Sequence, residues 1–106
     1  MKETQLVRQI LDFCRYRDLL FWRNQSGAVQ TKTGHLVKFG SVGSPDLVGC
    51  VDGRFVGVEC KVGKNTPTEA QLRFGALIEK NGGQYWVVYN LDDFINNINK
   101  LMYEKV

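Results

Sequence analysis

The segment 46–61 constrains the fold of this chain more than any other part of it. Two runs rich in Val and Phe flank the dipeptide Asp52-Gly53. Asp-Gly is a preferred pair for a two-residue type I′ turn, because both turn positions need positive φ. The sequence therefore predicts a β-hairpin whose register places Asp46 opposite Glu59. A three-residue bulged loop would shift this register by one residue.

Further elements are predicted on both sides of this hairpin. Thr66 and Glu69 form a capping box around Pro67, which predicts a helix start, and Gly82-Gly83 predicts the end of that helix. In chain order we expect a helix over 3–18, a strand over 21–24, a loop or irregular ribbon over 27–43, the hairpin, a helix over 67–80, a strand over 84–89 and a helix that starts at Asp92 or Asp93. The order α-β-β-β-α-β-α predicts an α/β (α+β) fold, a mixed sheet flanked by helices, in a single domain over 1–106.

Composition excludes several classes of protein. Of the 106 residues, 43% are hydrophobic and 24% charged, which excludes a disordered chain. No apolar run reaches the ~18 residues of a membrane span, and the first residues lack the apolar segment of a signal peptide, so we expect a cytoplasmic protein. Residues 1–64 carry 10 Lys and Arg against 6 Asp and Glu. This small excess of positive charge is weak evidence for a polyanionic partner.

The cysteines, the histidine and the tryptophans have no recognisable functional pattern. Three cysteines without a C-x-x-C spacing, beside a single histidine, argue against a disulfide framework and against a zinc site. We expect the cysteines to be reduced, with Cys14 in the core. His35 is predicted at the surface, and Trp22 and Trp86 are predicted in the core.

Two carboxylates meet in the predicted hairpin. Asp46 and Glu59 would lie on one face with Cβ atoms roughly 4.5–5.5 Å apart, and Lys61 would project from the same face. Two carboxylates about 5 Å apart repel by ~3 kcal/mol at an effective dielectric constant near 20, so the pair needs a proton or a cation between its members. Oxygen ligands on adjacent strands suit Mg²⁺ or Mn²⁺. The alternative is a pair of solvated strand residues with Lys61 as their salt-bridge partner.

The order of these residues resembles a nuclease signature. Gly43-Ser44-Pro45-Asp46 followed by Glu59-Cys60-Lys61 reproduces the PD-(D/E)xK pattern, and Gln71 follows on the next predicted helix. Glu3 lies on the opening helix, and Asn24 precedes a glycine-rich stretch. Together these features resemble the VRR-NUC (virus-type replication–repair nuclease) family over nearly the whole chain. Members of this family occur alone in phages and fused to larger repair enzymes.

The resemblance implies a restriction-endonuclease-like core and a Mg²⁺-dependent DNA endonuclease, with Mn²⁺ able to substitute. Asp46, Glu59 and the backbone carbonyl of Cys60 would bind the metal, and Glu3 would complete its shell directly or through a water. Lys61 would orient the attacking water, and Gln71 would hold that lysine or the water. Standalone relatives imply cleavage of branched DNA, such as Holliday junctions or flaps, by a homodimer.

Contacts with DNA are predicted more loosely than the metal site. The loop before Pro45 lacks the arginine that many relatives carry, so phosphate contact there would depend on Ser41, Ser44 or backbone N–H groups. Gln71 shares a helical stripe with Phe74 and Ile78, so we expect it to face the sheet. Exposed cations that could contact phosphates are Arg15, Arg17, Arg23, Lys32, Lys38 and Lys64.

Two other functions compete with this one. The first is a non-catalytic nucleic-acid-binding module on the same fold, against which all four of Asp46, Glu59, Lys61 and Gln71 argue. The second is a restriction-type enzyme with sequence preference, for which the chain has no separate target-recognition region. We expect the homodimer to form through one of the amphipathic helices or through an edge of the sheet.

Overall fold

Three helices and two sheets make up the described part of the chain. The computed structural model describes residues 1–25 and 27–103, without the side chain of Phe39. In chain order the elements are α1 (Glu3–Tyr16), β1 (Leu20–Arg23), β2 (Gly27–Gln30), β3 (Leu36–Phe39), β4 (Leu47–Val51), β5 (Arg54–Cys60), α2 (Glu69–Lys80), β6 (Gln84–Val88) and α3 (Leu91–Tyr103). None of the described helices is long and apolar enough to cross a membrane.

The main sheet has four strands in the order β1-β4-β5-β6. Strands β1, β4 and β5 are antiparallel neighbours, and β6 runs parallel to β5 after the crossover through α2. The predicted hairpin register is confirmed, since Cys50 pairs with Phe55. Asp52 and Gly53 have φ values of 53° and 78°, as a type I′ turn requires.

The two faces of this sheet are covered unequally. Helices α1 and α3 cover one face, where the ring of Phe94 lies edge-on to Phe21 and Trp86 at centroid distances of 5.2 and 5.9 Å. Other core side chains on this side are Leu6, Ile10, Leu47, Val56, Val58 and Ile98. Helix α2 covers the other face over β5 and β6, where a Cβ on Gly75 would collide with the ring of Tyr85. The β1 end of this second face stays open.

The mixed α/β class is confirmed, and the predicted order of elements is wrong in one region. Residues 27–43 contain the regular antiparallel pair β2–β3 where we predicted a loop or irregular ribbon. Every residue of β2 is exposed, so the pair has no alternation of buried and exposed positions from which to predict strands. Trp22 is half exposed, contrary to prediction, because it lies on the open end of the sheet; Trp86 and Cys14 are buried and His35 is exposed, as predicted.

The predicted helix boundaries also need correction. Helix α2 starts after Thr68 rather than at Pro67: the Thr68 hydroxyl accepts a hydrogen bond from the Gln71 N–H at 3.2 Å, and the Gln71 side chain accepts one from the Thr68 N–H at 2.8 Å. Two overlapping segments match the capping-box pattern, so the sequence alone does not separate them. Helix α3 is capped by Asn90, whose side chain accepts from the N–H of Asp93 at 2.8 Å.

Candidate metal and catalytic site

Asp46 and Glu59 lie side by side where β4 begins and β5 ends. The ladder of β4 and β5 ends at Leu47 and Val58, and just beyond it the N–H of Cys60 donates to Oδ2 of Asp46 at 2.8 Å. A backbone donor that would otherwise find no strand partner thus fixes the Asp46 carboxylate. The two acidic side chains share one face of the sheet, as the alternation along paired strands requires.

Glu59 is buried, with only 1% of its surface exposed. Its Oε1 accepts a hydrogen bond from Nε2 of Gln71 at 3.1 Å, and its Oε2 accepts a longer one from the hydroxyl of Tyr85 at 3.4 Å. Gln71 lies on α2 and Tyr85 lies on β6, so the helix and the strand that follow β5 both hold the Glu59 carboxylate. A buried acidic side chain held in this way is not a solvated strand residue.

The raised pKa of Glu59 indicates that the carboxylate pair needs a proton or a cation. Burial raises the pKa of Glu59 to about 8, and the charge of Asp46 and a hydrogen bond shared with it add to that rise. The charge of Lys61 and the hydrogen bond from Tyr85 act in the opposite direction. Without a cation the pair therefore holds a proton near neutral pH. A divalent cation in its place would allow both carboxylates to ionise, so the donor chemistry fits Mg²⁺ or Mn²⁺.

Lys61 lies beside the carboxylates on the same face and is 9% exposed. Its backbone N–H donates to the carbonyl of Val88 at 3.0 Å, which extends the parallel pairing by one residue and fixes the start of the side chain. Its charge is close enough to lower the pKa of Glu59. The positive charge of Lys61 therefore acts directly on the carboxylate pair.

Gln71 faces the sheet, as its stripe with Phe74 and Ile78 predicts. The family resemblance implied that it holds Lys61 or a water, whereas the structure places its amide on Glu59. The same side chain closes the capping box of α2 through its Oε1. One residue therefore both begins the helix and positions a candidate metal ligand.

Asn24 positions the Asp46 end of the site. Its Nδ2 donates to Oγ of Ser44 at 2.9 Å and to the carbonyl of Pro45 at 2.8 Å. Its backbone N–H donates to the carbonyl of Asp46 at 2.8 Å. These bonds join the two ends of the segment that contains β2 and β3, directly beside the candidate metal ligand.

Glu3 lies near the pair but is held by another residue. It lines a cleft of about 180 Å³ together with Arg23, Asn24 and Asp46. Its Oε2 accepts a hydrogen bond from Nδ2 of Asn65 at 3.5 Å. Within residues 1–25 and 27–103, no group of three or more His, Cys, Asp or Glu side chains could hold a metal ion. The side-chain donors at the described site are therefore the two carboxylates.

The backbone carbonyl of Cys60 is the third donor that the resemblance implies. The N–H of Cys60 points toward Asp46, and in an extended strand the C=O of a residue points to the same side as its N–H. The side chain of Cys60 lies in the core on the opposite face, and burial, followed by the charges of Asp46 and Glu59, raises the pKa of its thiol. The side chain is therefore a neutral thiol rather than a thiolate ligand.

The predicted DNA-contacting residues come from several different elements. Lys38 is exposed on β3, and Lys64 is exposed in the loop before α2. Ser41 is exposed and its carbonyl accepts from the N–H of Ser44 at 3.1 Å. Arg23 lies on β1 and lines the same cleft as Asp46.

Sequence reasoning missed Tyr85. Its hydroxyl contacts Glu59 only because β6 pairs with β5 in a parallel register that places Tyr85 beside Gly57. Burial, together with the neighbouring charge of Glu59, raises the pKa of Tyr85, so the hydroxyl stays protonated and available as a donor. No local signal in the sequence reports this pairing, because it depends on the length and packing of the intervening helix.

The chain matches no protein-family model and no curated protein.

Proposed function

We propose that this protein is a Mg²⁺-dependent, structure-specific DNA endonuclease of the VRR-NUC type, with a PD-(D/E)xK core. The observation that carries the proposal is the buried Glu59 carboxylate beside Asp46, with the ammonium group of Lys61 on the same face. Such an arrangement is unfavourable for stability alone, because two carboxylates repel when they are close and unscreened. Strongly perturbed carboxylates of this kind are typical of functional sites.

Each residue of the site has a role in phosphodiester hydrolysis. Asp46 and Glu59 would hold Mg²⁺ together with the carbonyl of Cys60. When bound, such an ion lowers the pKa of a water and neutralises charge on the phosphoryl oxygens. Lys61 orients the attacking water and stabilises negative charge on the phosphate in the transition state. Gln71 acts as a positioning residue, because it fixes the orientation of Glu59 through its amide.

The proposed substrate is branched DNA, such as a Holliday junction or a flap, cut by a homodimer in the cytoplasm. Recognition of DNA shape is proposed over recognition of sequence, because no helix in the described part of the chain resembles a base-reading helix. Two copies related by twofold symmetry would cut two strands of a junction symmetrically.

A digest with a matched control tests the proposal. Labelled four-way junction, flap and single-stranded DNA are incubated with Mg²⁺ or Mn²⁺ and with the wild type, Lys61→Ala or Lys80→Ala. Lys80 is an exposed lysine in the last turn of α2, so its loss changes the net charge equally but leaves the site intact. We expect the wild type and Lys80→Ala to cut a branched substrate and Lys61→Ala to lose at least 100-fold in rate, on the order of a lost electrostatic contact in catalysis.

Two results would contradict the proposal. Equal cutting by the wild type and Lys61→Ala would indicate a contaminating nuclease. Binding of branched DNA without cutting in either metal would favour the alternative, a non-catalytic nucleic-acid-binding module. Calorimetry separates these cases further, because Mn²⁺ should bind the wild type and fail to bind Asp46→Asn.

A further inference from the structure

A groove runs along the seam between α1 and β1 and leads away from the candidate metal site. Two cavities lie in this seam, one of about 180 Å³ at Asp46 and one of about 260 Å³ further along α1. Both are lined by Thr4, Val7 and Arg23, so they form one continuous groove. We call it the α1–β1 groove.

The far part of the α1–β1 groove is basic. Arg8 and Arg15 come from the same side of α1, two helical turns apart, and Arg23 faces them from β1. The single acidic residue of this lining, Asp12, bonds Arg15 at 2.9 Å. Three guanidinium groups against one carboxylate leave the lining positively charged. Guanidinium groups are the donors best suited to phosphate, because their planar fork can make two parallel hydrogen bonds.

We infer that the α1–β1 groove binds the phosphodiester backbone of a single DNA strand that leaves the candidate metal site. This inference rests on the proposed function and adds the path of the substrate to it. The charge of the far part complements the phosphates of a polyanion, whereas the near part carries the carboxylates of Glu3 and Asp46, next to the candidate metal. Cavities of about 180 and 260 Å³ can receive phosphate groups of one strand but not a double helix, whose major groove alone is about 12 Å wide.

The length of the groove sets the length of strand that it can hold. Glu3 and Arg15 are separated along α1 by about 18 Å, at 1.5 Å per residue. A stacked strand rises about 3.4 Å per nucleotide, so this distance corresponds to about five nucleotides. A shorter oligonucleotide bound at the metal site cannot reach Arg15. Arg8 lies about 7.5 Å from Glu3 along α1, within reach of two or three nucleotides, so Arg8 should contact short and long strands and Arg15 only long ones.

The test compares the double variant Arg8→Gln/Arg15→Gln with a control double variant, Arg73→Gln/Lys80→Gln. The control removes the same charge from the exposed side of α2. Fluorescence anisotropy measures binding of oligodeoxythymidylates of about 12 and about 3 nucleotides, and of a duplex of about 12 base pairs, in the presence of a chelator, from 50 to 200 mM salt. Thermal unfolding confirms that all variants are folded, since the Arg15–Asp12 pair is exposed and contributes little to stability.

For the long oligonucleotide we expect two lost phosphate contacts to lower the salt slope by about 1.4, at about 0.7 per single-strand phosphate. Between 50 and 200 mM salt the wild type and the control should then lose about sevenfold more affinity than Arg8→Gln/Arg15→Gln. For the short oligonucleotide, which can reach Arg8 but not Arg15, the slope of Arg8→Gln/Arg15→Gln should fall by about 0.7, half of the change seen with the long one.

Three outcomes would overturn the inference. The first is an unchanged slope in Arg8→Gln/Arg15→Gln, the second is a wild type that binds neither oligonucleotide, and the third is a slope change seen only with a duplex. The proposed function can fail separately. If the slope falls as expected but the digest shows no metal-dependent cutting by the wild type, the groove binds a strand in a protein that is not a nuclease.

Discussion

Glu59 is a carboxylate in the interior of the protein, and its protonation links the site to stability. Burial raises its pKa from 4.5 to about 8 in the folded protein. Between these values the folded, metal-free protein keeps a proton that the unfolded chain releases. The free energy of unfolding therefore decreases as pH rises from about 4.5 to about 8, and changes little from this source above pH 8.

Glu59→Gln should remove this pH dependence. The amide cannot ionise, so at pH 8 the metal-free variant should be more stable than the wild type by up to about 4 kcal/mol. Urea unfolding in a chelator at pH 5, 7 and 8 measures the difference. Added Mn²⁺ should stabilise the wild type, most strongly at pH 8, and should leave Glu59→Gln unchanged. Parallel pH curves for the two proteins would contradict this prediction.

Tyr85 should tune metal affinity through its hydrogen bond to Glu59. Tyr85→Phe removes one donor from the carboxylate and keeps the ring, so we expect Mn²⁺ to bind roughly tenfold more weakly with little change in unfolding temperature. Calorimetry at pH 7 measures the affinity. Tyr16→Phe is the matched control, because Tyr16 is 86% exposed. Equal Mn²⁺ affinities of Tyr85→Phe and Tyr16→Phe would show that Tyr85 does not support metal binding.

The first turn of α2 links the stability of this helix to the site, because the Gln71 side chain both closes the capping box and holds Glu59. Gln71 accepts from Thr68 with its oxygen and donates to Glu59 with its nitrogen. Any change that frays the first turn of α2 releases the amide from Glu59. The first turn of α3 has an equivalent cap at Asn90 but contacts no candidate metal ligand.

Thr68→Ala and Asn90→Ala should therefore differ in activity more than in stability. Loss of an N-cap destabilises a protein by about 0.5–2 kcal/mol, so both variants should unfold at similarly lower urea concentrations. Cleavage of the preferred DNA substrate should fall several-fold in Thr68→Ala and stay at the wild-type rate in Asn90→Ala. If activity fell equally in both, general destabilisation and not the position of Gln71 would be responsible.

At the scale of the whole molecule, the unequal covering of the sheet leaves an apolar surface on the same face as the site. Leu20, Trp22 and Phe55 are 61, 50 and 46% exposed and lie on the face that α2 covers only in part. Most apolar residues of α1 and α3 face the core instead, and the exposed ones, Tyr16, Met102 and Tyr103, lie at the ends of these helices. The β1 edge is therefore the surface through which we expect the proposed homodimer to form, since exposed apolar patches mark interaction sites.

Trp22→Glu should dissociate the proposed dimer into monomers. The residue is half exposed on an edge strand, so the monomer should stay folded while a charge enters the apolar contact. Size-exclusion chromatography with light scattering should give twice the chain mass for the wild type and one chain mass for the variant. Tyr103→Glu, at an exposed position at the end of α3, is the control. A wild type of one chain mass would contradict both the dimer and this surface.

Local interactions account for the parts of the fold and of the candidate site that could be predicted from the sequence. The Asp52-Gly53 turn sets the hairpin register, and this register alone brings Asp46 and Glu59 together. Periodic apolar residues define α1 and α3, and Gly82 ends α2. The strands β2 and β3 were missed because none of their described side chains is buried, and the start of α2 was missed because two capping patterns overlap.

The sequence by itself determined the hairpin, its carboxylate pair and the lysine two residues further on, because a tight turn and the two-residue period of strands act over a few residues. Only the tertiary structure decided that Tyr85 and Gln71 hold Glu59, that Asn24 braces the segment before Asp46, and that Arg8, Arg15 and Arg23 line one groove. Those contacts join residues far apart in the chain, and their geometry follows from how α1 and α2 pack on opposite faces of one sheet.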